Sequence, residues 1–455
     1  MPEAELQKSN IASQGAGEVK QAQQPAQAKD ISQLLSAFGG FNAIRGFMPD
    51  ADNLNPARKA AKAVFLSDKR FQDKRENLIN EIKGWLEILN EGHESATEFV
   101  DACKAKEDKY TKVLSQGITD ALYATANLER SYRALDSFFK NANTDKVKNL
   151  RIINVMVIYF LSKSRIAQEV DNLLRNGFDR LSLKDCYSLM VVPGNVFQDK
   201  PTLLQWAKIA FKYKVMLITD HADEYSFDDL QANTEGYRDS DIELQNVIMT
   251  ANWLVGRDSE KLSEDEKESP AFYICSSGAL AGKLYDESAN MAQGAGGKKY
   301  GTLNGVKGVK LDLLKSEIAA LMDNQVIPMV YSEGRVMAFN NTTLYNGDNT
   351  SMKEYPIVRV FDWVKKVLMN YVHEVALENW DPYNSPKNLK AKIQAFLNDY
   401  KGYGNLFQNY EIKEPTQDPI TKRITCDISL TPFYSAKNFI IKVSADKKDK
   451  DAQMA

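Results

Sequence analysis

The residues best suited to catalysis in this sequence are the pair Asp220-His221, which directly follows the apolar run 215–219. In layers of alternating strands and helices, catalytic groups gather at the carboxyl ends of strands. With Ser276 or Ser277 as nucleophile, the pair would complete a hydrolase triad. Those serines, however, lie in Cys-Ser-Ser-Gly, which lacks the G-x-S-x-G turn that exposes a nucleophilic hydroxyl. We therefore expect alanine at Asp220 or His221 to leave function largely intact.

A second chemical motif is the glycine-rich stretch Gly-Ala-Gly-Gly-Lys-Lys at 294–299, which has the composition of a phosphate-binding loop. A working loop needs four residues between its glycines, and then Lys followed by Ser or Thr to hold magnesium. Tyr300 follows the lysines instead. The sequence therefore predicts that 292–308 is a flexible surface loop. The acidic groups at 228–229 and 264–266 lie in polar stretches and indicate solvated faces.

Metal binding has little support in the sequence. It contains three histidines and four cysteines, and the cysteines are far apart, with no C-x-x-C pair and no nearby histidine at ligand spacing. Cys103, Cys186, Cys275 and Cys426 are expected to be reduced, buried thiols. The sequence predicts no catalytic residue, no metal site and no cofactor.

Composition excludes further classes of function. The 455 residues carry 58 basic and 61 acidic side chains, a formal charge of −3, which gives no field that would attract nucleic acid. The most apolar run, 152–161, is shorter than the roughly 20 residues that span a bilayer. The first residues lack a basic patch followed by an apolar stretch. We expect a cytoplasmic protein with several packed units and no membrane insertion.

The sequence predicts that the N-terminal 148 residues form an arm followed by helices. Residues 1–30 are rich in Gln and Ala without aromatic side chains, which predicts disorder. Apolar residues then recur at helical spacing, so residues 1–40 form a disordered arm with a short amphipathic helix. This helix either docks on its own core or binds a partner. Residues 41–148 show helical periodicity throughout. The apolar residues of the short helix are Ile31, Leu34, Leu35 and Phe38.

Strands and helices alternate over 149–410, which predicts an α/β layer with parallel strands. Strands are expected at 150–156, 189–192 and 215–219, and a hairpin is expected to turn at Glu333-Gly334. Residues 243–255 are predicted to be a helix. The fold class is thus mixed α/β with a helical N-terminal part.

The C-terminal segment 411–455 has the clearest strand pattern. Apolar and polar residues alternate over 423–430, and a second alternating strand follows before a charged tail. We expect these two strands to leave an edge unpaired, ready for strand exchange with a neighbouring subunit. The residues of this predicted exchange face are Ile424, Cys426, Ile428, Leu430, Phe439, Ile441 and Val443.

Several segments in this order resemble the large sheath subunit of type VI secretion systems, the TssC/VipB family. They are the helix L-E-R-S-Y-R-A-L at 128–135, the strand and Pro-Gly turn at 189–194, and the succession of helix, strand, turn, strand and long helix over 313–371. Each motif alone is weak, and their order carries the resemblance. The stretch 273–285 and the ending of the long helix near His373 depart from the family pattern, which indicates a divergent branch.

The resemblance implies a structural subunit of a contractile sheath, without enzymatic activity. It implies contacts with copies of itself, a small sheath subunit of the TssB/VipA type, an inner tube protein of the Hcp type and a baseplate. It also implies recycling by an AAA+ unfoldase of the ClpV type, for which the helix 31–38 is a candidate by position. The alternatives are a phage-tail-like sheath or another scaffold protein, and less plausibly the hydrolase that uses Asp220 and His221.

Overall fold

The computed structural model describes residues 64–93, 95–155, 165–180, 182–197, 199–257, 271–286, 290–374 and 379–436. The chain divides into two units, Met1–Asp120 and Ala121–Ala455. The α-helices are α1 Gln72–Asn90, α2 Ala96–Asn141, α3 Arg165–Phe178, α4 Lys200–Lys212, α5 Phe227–Glu235, α6 Ser277–Lys283, α7 Gly297–Tyr300, α8 Lys315–Asp323, α9 Tyr355–Glu374 and α10 Ser385–Asn398. The strands are β1 Leu189–Val192, β2 Met216–Asp220, β3 Val247–Ala251, β4 Leu254–Arg257, β5 Phe272–Ile274, β6 Ile327–Ser332, β7 Arg335–Ala338, β8 Asn409–Ile412, β9 Thr416–Gln417, β10 Ile424–Thr425 and β11 Ile428–Thr431.

The N-terminal unit is helical where it is described, as the sequence predicts. It contains α1 and the first half of α2, a helix of 46 residues. Ile88 is the only buried apolar side chain described between residues 64 and 120, whereas apolar residues such as Leu78, Ile82 and Leu114 are exposed. A helix that leaves its apolar stripe exposed lacks most of the packing that stabilises helices in proteins. These two helices therefore contribute little core of their own in the described residues.

A five-stranded sheet in the order β1-β2-β3-β6-β7 forms the centre of the second unit. The first four strands are parallel, and β7 returns antiparallel to β6. Alternate residues of β2 and β3 enter different core clusters: Leu217 and Met249 lie in one, Ile218 and Ile248 in the other. Because both faces of the sheet are covered, its central strands are buried throughout. The predicted parallel α/β layer is confirmed.

The predicted hairpin is also confirmed. Strands β6 and β7 pair in register from Met329 with Ala338 to Ser332 with Arg335. The two residues between them, Glu333 and Gly334, have φ values of 51° and 76°. Positive φ at both central positions matches the right-handed twist of the flanking strands, which is why two-residue hairpins favour such turns.

Two expected elements are wrong. Residues 150–155 form no strand, although their pattern alternates: Leu150, Ile152 and Ile153 are exposed, with no strand beside them among the described residues. Residues 243–255 are not one helix but a 3-10 turn, Ile242–Asn246, followed by β3 and β4. A strand buried on both faces is continuously apolar, so its sequence lacks the period of two that identifies a half-buried strand.

The glycine-rich stretch 292–308 is packed rather than free, contrary to the expectation of a flexible surface loop. It contains the single-turn helix α7, and Ala295 and Leu303 are buried. The backbone N–H of Ala295 donates to the Tyr355 hydroxyl at 2.6 Å, and Lys298 pairs with Glu333. Contacts of this kind fix the loop against β7 and α9, and no phosphate-binding strand-loop-helix arrangement results.

Small residues in α6 allow a close approach to α2. A β-carbon built on Gly278 would lie 2.2 Å from the carbonyl oxygen of Ala134, and one built on Gly282 would lie 2.2 Å from that of Phe138. Since real β-carbons do not come so close, only glycine permits this packing.

Candidate assembly surface

Asp220 lies at the carboxyl end of β2 and is fully buried. Its carboxylate accepts hydrogen bonds from the backbone N–H groups of Ser276 at 2.7 Å, Ser277 at 2.8 Å and Gly194 at 2.8 Å. The Thr250 hydroxyl donates to it at 2.7 Å. These hydrogen bonds connect the loop after β1, the end of β3 and the start of α6. The role of Asp220 in the fold is structural.

His221 does not join this group into a triad. Its backbone N–H donates to the Thr250 carbonyl at 2.8 Å, and its own carbonyl accepts from Trp253 Nε1 at 2.8 Å. The ring stacks edge-on against Tyr237, with centroids 5.7 Å apart. No hydrogen bond connects the ring to Ser276 or Ser277 in the described residues, and burial lowers the pKa of the imidazole. The structure thus brings Asp220 and the serines together, but without the base that would activate a hydroxyl.

No metal site is found within the described ranges. No group of three His, Cys, Asp or Glu side chains is placed to hold an ion. All four cysteines are free thiols, as the sequence predicts, although only Cys275 is fully buried. Burial raises the pKa of the Cys186, Cys275 and Cys426 thiols, which makes them poor nucleophiles at neutral pH.

The C-terminal hairpin, residues 409–431, comprises the strands β8 to β11. The predicted single strand 423–430 is divided: β10 pairs antiparallel with β9, and β11 pairs antiparallel with β8. Its register places Ile428 opposite Ile412 and Leu430 opposite Tyr410. The partner strands precede 423–430 in the chain, whereas the sequence suggested partners after it. Of the predicted exchange residues, Phe439, Ile441 and Val443 lie outside the described residues, as do Ile31, Leu34, Leu35 and Phe38 of the N-terminal helix.

The apolar face of the C-terminal hairpin packs against its own chain. Ile428, Leu430 and Cys426 lie partly buried against a core cluster that includes Val364 of α9 and Leu397 of α10. The opposite side chains of β8 and β11, such as Glu411 and Ser429, are exposed. Among the described residues each of these strands pairs on one side only. What remains open to a partner is therefore the backbone edge rather than the apolar face.

A second exposed surface runs along α2, and the sequence reasoning missed it. At 100° per residue, three apolar side chains in the part of this helix after residue 120 fall within about 40° of one another on one face. All three are at least 42% exposed, and the side chains of Leu128 and Tyr132 are 72% and 66% exposed. An apolar stripe on a helix normally faces a core. Ala134 of the motif at 128–135 packs into a core cluster, whereas Leu128 and Tyr132 do not. The residues of this α2 stripe are Leu128, Tyr132 and Phe139.

Within the part of the chain that the structure describes, no helix combines the length and the apolar character that crossing a bilayer requires.

Comparison with known families gives matches along most of the sequence. The family described as type VI secretion system TssC/VipB, central domain, matches residues 120–346. The TssC/VipB-like C-terminal domain matches residues 354–455, and the TssC/VipB-like N-terminal region matches residues 28–118. No curated protein matches the chain significantly.

Solved structures of contractile injection machines are similar at low identity. The helical sheath of the anti-feeding prophage in the contracted state has a TM-score of 0.49 and 13% identity, and the match covers 71% of this chain and 82% of that one. The contracted PVC sheath complex of an extracellular contractile injection system has a TM-score of 0.42 and 12% identity, with 70% and 80% coverage. The sheath tail protein of Desulfitobacterium hafniense has a TM-score of 0.33 and 12% identity, with 54% and 56% coverage.

Proposed function

Because the chain belongs to the TssC/VipB family of the type VI secretion system and is a structural subunit of a contractile sheath, we propose that it co-polymerises with a small sheath subunit of the TssB/VipA type. The polymer surrounds an inner tube of the Hcp type, stands on a baseplate, and contracts to propel the tube. This assembly takes place in the cytoplasm. The chain acts by changing its packing and catalyses no reaction.

The observation that carries this proposal is the backbone edge of the C-terminal hairpin, which has no partner strand among the residues that the structure describes. A strand with one unpaired side presents N–H and C=O groups that a strand from another subunit satisfies directly. Each such backbone bond contributes about 0.5–1.5 kcal/mol net, so several of them hold neighbours together. The strands then keep subunits connected while the bodies rotate during contraction.

The α2 stripe supports a second contact. Its three apolar side chains are exposed in the single chain, and exposed apolar area of this kind marks protein–protein interaction sites. We propose that the small sheath subunit covers it, so that the helical N-terminal part gains in the assembly the core that it lacks alone.

Electron microscopy tests the proposed function directly. The chain is co-expressed with the short gene product encoded beside it, and hollow helical tubes are the expected result. The chain expressed alone is expected to aggregate or to be poorly soluble, because its open strand edges pair non-specifically. A clean, stable monomer that forms no tubes with its partner would contradict the proposal.

The arm 1–40 is proposed to be the recycling signal recognised by a ClpV-type unfoldase. A short apolar helix on a tether suits capture in a partner's groove. Deleting residues 1–40 is expected to leave tube formation intact and to slow the disassembly of contracted tubes. Normal disassembly in the deletion strain would remove this role, and loss of assembly would show that the arm contributes to the polymer itself.

A further inference from the structure

A cavity of about 200 Å³ lies at the amino ends of β1 and β2, beneath α9. It is at the end of the sheet opposite to Asp220. Its walls combine the segment before β1, the residues that begin β2, and one face of α9. Since a water molecule takes about 30 Å³ of liquid, the space holds a small polyatomic ion with some water.

Charged side chains dominate the polar part of this wall. Lys214, Arg359 and Lys366 line the cavity, and Asp362 is the only carboxylate among its lining residues. Three cations against one anion leave an excess of two positive charges. Asp362 accepts a hydrogen bond from Asn246 Nδ2 at 2.7 Å and forms no ion pair with any of the three cations. The Asp362 carboxylate still attracts Lys214 and Lys366, so it compensates one of the three positive charges and leaves the excess of two.

The three cations differ in how well they are satisfied. Lys366 donates to the Tyr187 carbonyl at 2.9 Å. The Lys214 ammonium lies 3.8 Å from the centroid of the Phe211 ring. Arg359 has neither a hydrogen bond nor an ion pair within the described part of the chain. Burial lowers the pKa of Lys214, Arg359 and Lys366, because the charged form of each group loses part of its hydration.

The end of α4 places Lys214 at the cavity. Lys214 has a φ of 55° because it caps this helix in the left-handed conformation: its N–H donates to the Phe211 carbonyl at 3.3 Å, and the Val215 N–H donates to the Ala210 carbonyl at 2.9 Å. The chain then enters β2, and the Lys214 side chain lines the cavity wall.

We propose that this cavity binds an oxyanion, a carboxylate or phosphate group, through Arg359 with Lys214 and Lys366 around it. A guanidinium presents paired N–H donors that match two oxygens of such a group, and an ammonium adds a point charge. The bound anion would offset the unpaired charges, whose burial is otherwise unfavourable. Two sources share this chemistry: a free phosphate-type anion, and an Asp or Glu side chain of a second copy of the chain.

Thermal unfolding of the full-length chain tests the site, at the low protein concentration needed to keep its strand edges from associating. Inorganic phosphate and acetate are each compared with chloride at equal ionic strength. At about ten times its dissociation constant, a bound anion is expected to raise the unfolding midpoint of the wild-type chain by about 1.5 °C. The Arg359→Met variant should lose this rise, and in chloride its midpoint should equal or exceed that of the wild type, because an unpaired charge has been removed.

Two further variants complete the design. Lys214→Met removes a second cation of the wall and should reduce the response to the anion. Arg165→Met is the matched control: Arg165 is exposed and pairs with Glu169 on the surface of α3, so the anion response should be unchanged.

The outcomes separate the two sources. If only phosphate raises the unfolding midpoint, the result supports a free phosphate-type anion. If acetate raises the midpoint equally, the result supports a carboxylate of the kind that a second copy supplies. The proposal is overturned if neither anion raises the wild-type midpoint, or if Arg359→Met responds as the wild type does. A lower midpoint of Arg359→Met in chloride also overturns it, since Arg359 would then have a partner within its own chain.

Discussion

At the scale of single residues, polar groups in this chain hold the fold together where the sequence suggested catalysis. Asp220 occupies the position at which α/β enzymes place functional groups, and it meets two serines there. Its carboxylate oxygens accept hydrogen bonds from backbone N–H groups and from hydroxyl groups. A site of this composition needs a base within hydrogen-bond reach of a hydroxyl to become reactive, and His221 does not supply it.

Alanine at Asp220 is expected to destabilise the chain, contrary to the expectation from sequence. The substitution leaves the buried N–H groups of Gly194, Ser276 and Ser277 without their acceptor. The cost is about 3–5 kcal/mol, measured as the free energy of unfolding in denaturant. Asp228→Ala, which removes an exposed carboxylate from α5, serves as control and should change stability by less than about 0.5 kcal/mol. Equal stability of the two variants would show that the Asp220 network is dispensable.

His221 should make stability depend on pH. Burial lowers its pKa in the folded state, so the unfolded chain binds a proton first as the pH falls. Its contribution is complete above the unfolded pKa of about 6.5 and is lost as the pH falls below that value, with a slope of at most about 1.4 kcal/mol per pH unit.

Unfolding free energies at pH 7 and pH 5 measure this effect. The difference should be smaller in His221→Asn than in the wild type. His373→Asn, at an exposed position in α9, is the control and should keep the wild-type difference. An unchanged pH dependence in His221→Asn would contradict the assignment.

At the scale of elements, the C-terminal hairpin has two sides with different roles. Its apolar side covers the core cluster between α9 and α10, and its backbone edge is open. A substitution on the apolar side therefore acts on the hairpin's own packing first and on assembly through it. The sequence pattern alone did not separate these two effects.

Ile428→Asp and Ser429→Asp are neighbouring substitutions that distinguish the two sides. The first buries a carboxylate against the apolar cluster, at a cost of several kcal/mol, and should release the hairpin and abolish tubes. The second places the same group on the exposed side and should leave the hairpin in place. Hydrogen exchange of β8 and β11 measures the packing, and electron microscopy counts tubes. A protected hairpin in Ile428→Asp would contradict the packing described above.

At the scale of the whole molecule, the α/β layer is complete without the hairpin. The two clusters on the faces of the central sheet contain no residue beyond Val358, whereas the hairpin belongs to a separate cluster. Assembly and folding thus depend on different parts of the second unit. The N-terminal helices add a further exposed apolar surface.

Removing residues 421–455 is expected to abolish polymerisation while sparing the α/β layer. The deletion takes away β10 and β11 and uncovers the cluster between α9 and α10, but it leaves both faces of the central sheet buried. Circular dichroism should remain close to that of the wild type, with no tubes in the presence of the partner. Tubes of normal length from the shortened chain would contradict strand exchange at the hairpin.

The sequence by itself determined the features that depend on local pattern. The helical periodicity of the N-terminal part and the two residues of the Glu333-Gly334 turn predicted their elements, because these signals arise from neighbours in the chain. Alternation alone was not sufficient, since residues 150–155 alternate and form no strand. The order of motifs over 128–371 likewise carried the family. The composition and the spacing of cysteines and histidines argued against nucleic acid and metal.

Only the tertiary structure decided features that depend on residues far apart in sequence. The strand β3 has no alternation because both of its faces are covered, so its identity follows from the helices that bury it. Asp220 at the end of β2 meets Ser276, which lies 56 residues later at the start of α6, only in the folded chain. The partner strands of 423–430 precede it, and the positive cavity gathers Lys214 from one element and Arg359 from another. Strand pairing and side-chain burial depend on how whole elements pack together. A local sequence pattern therefore does not predict them.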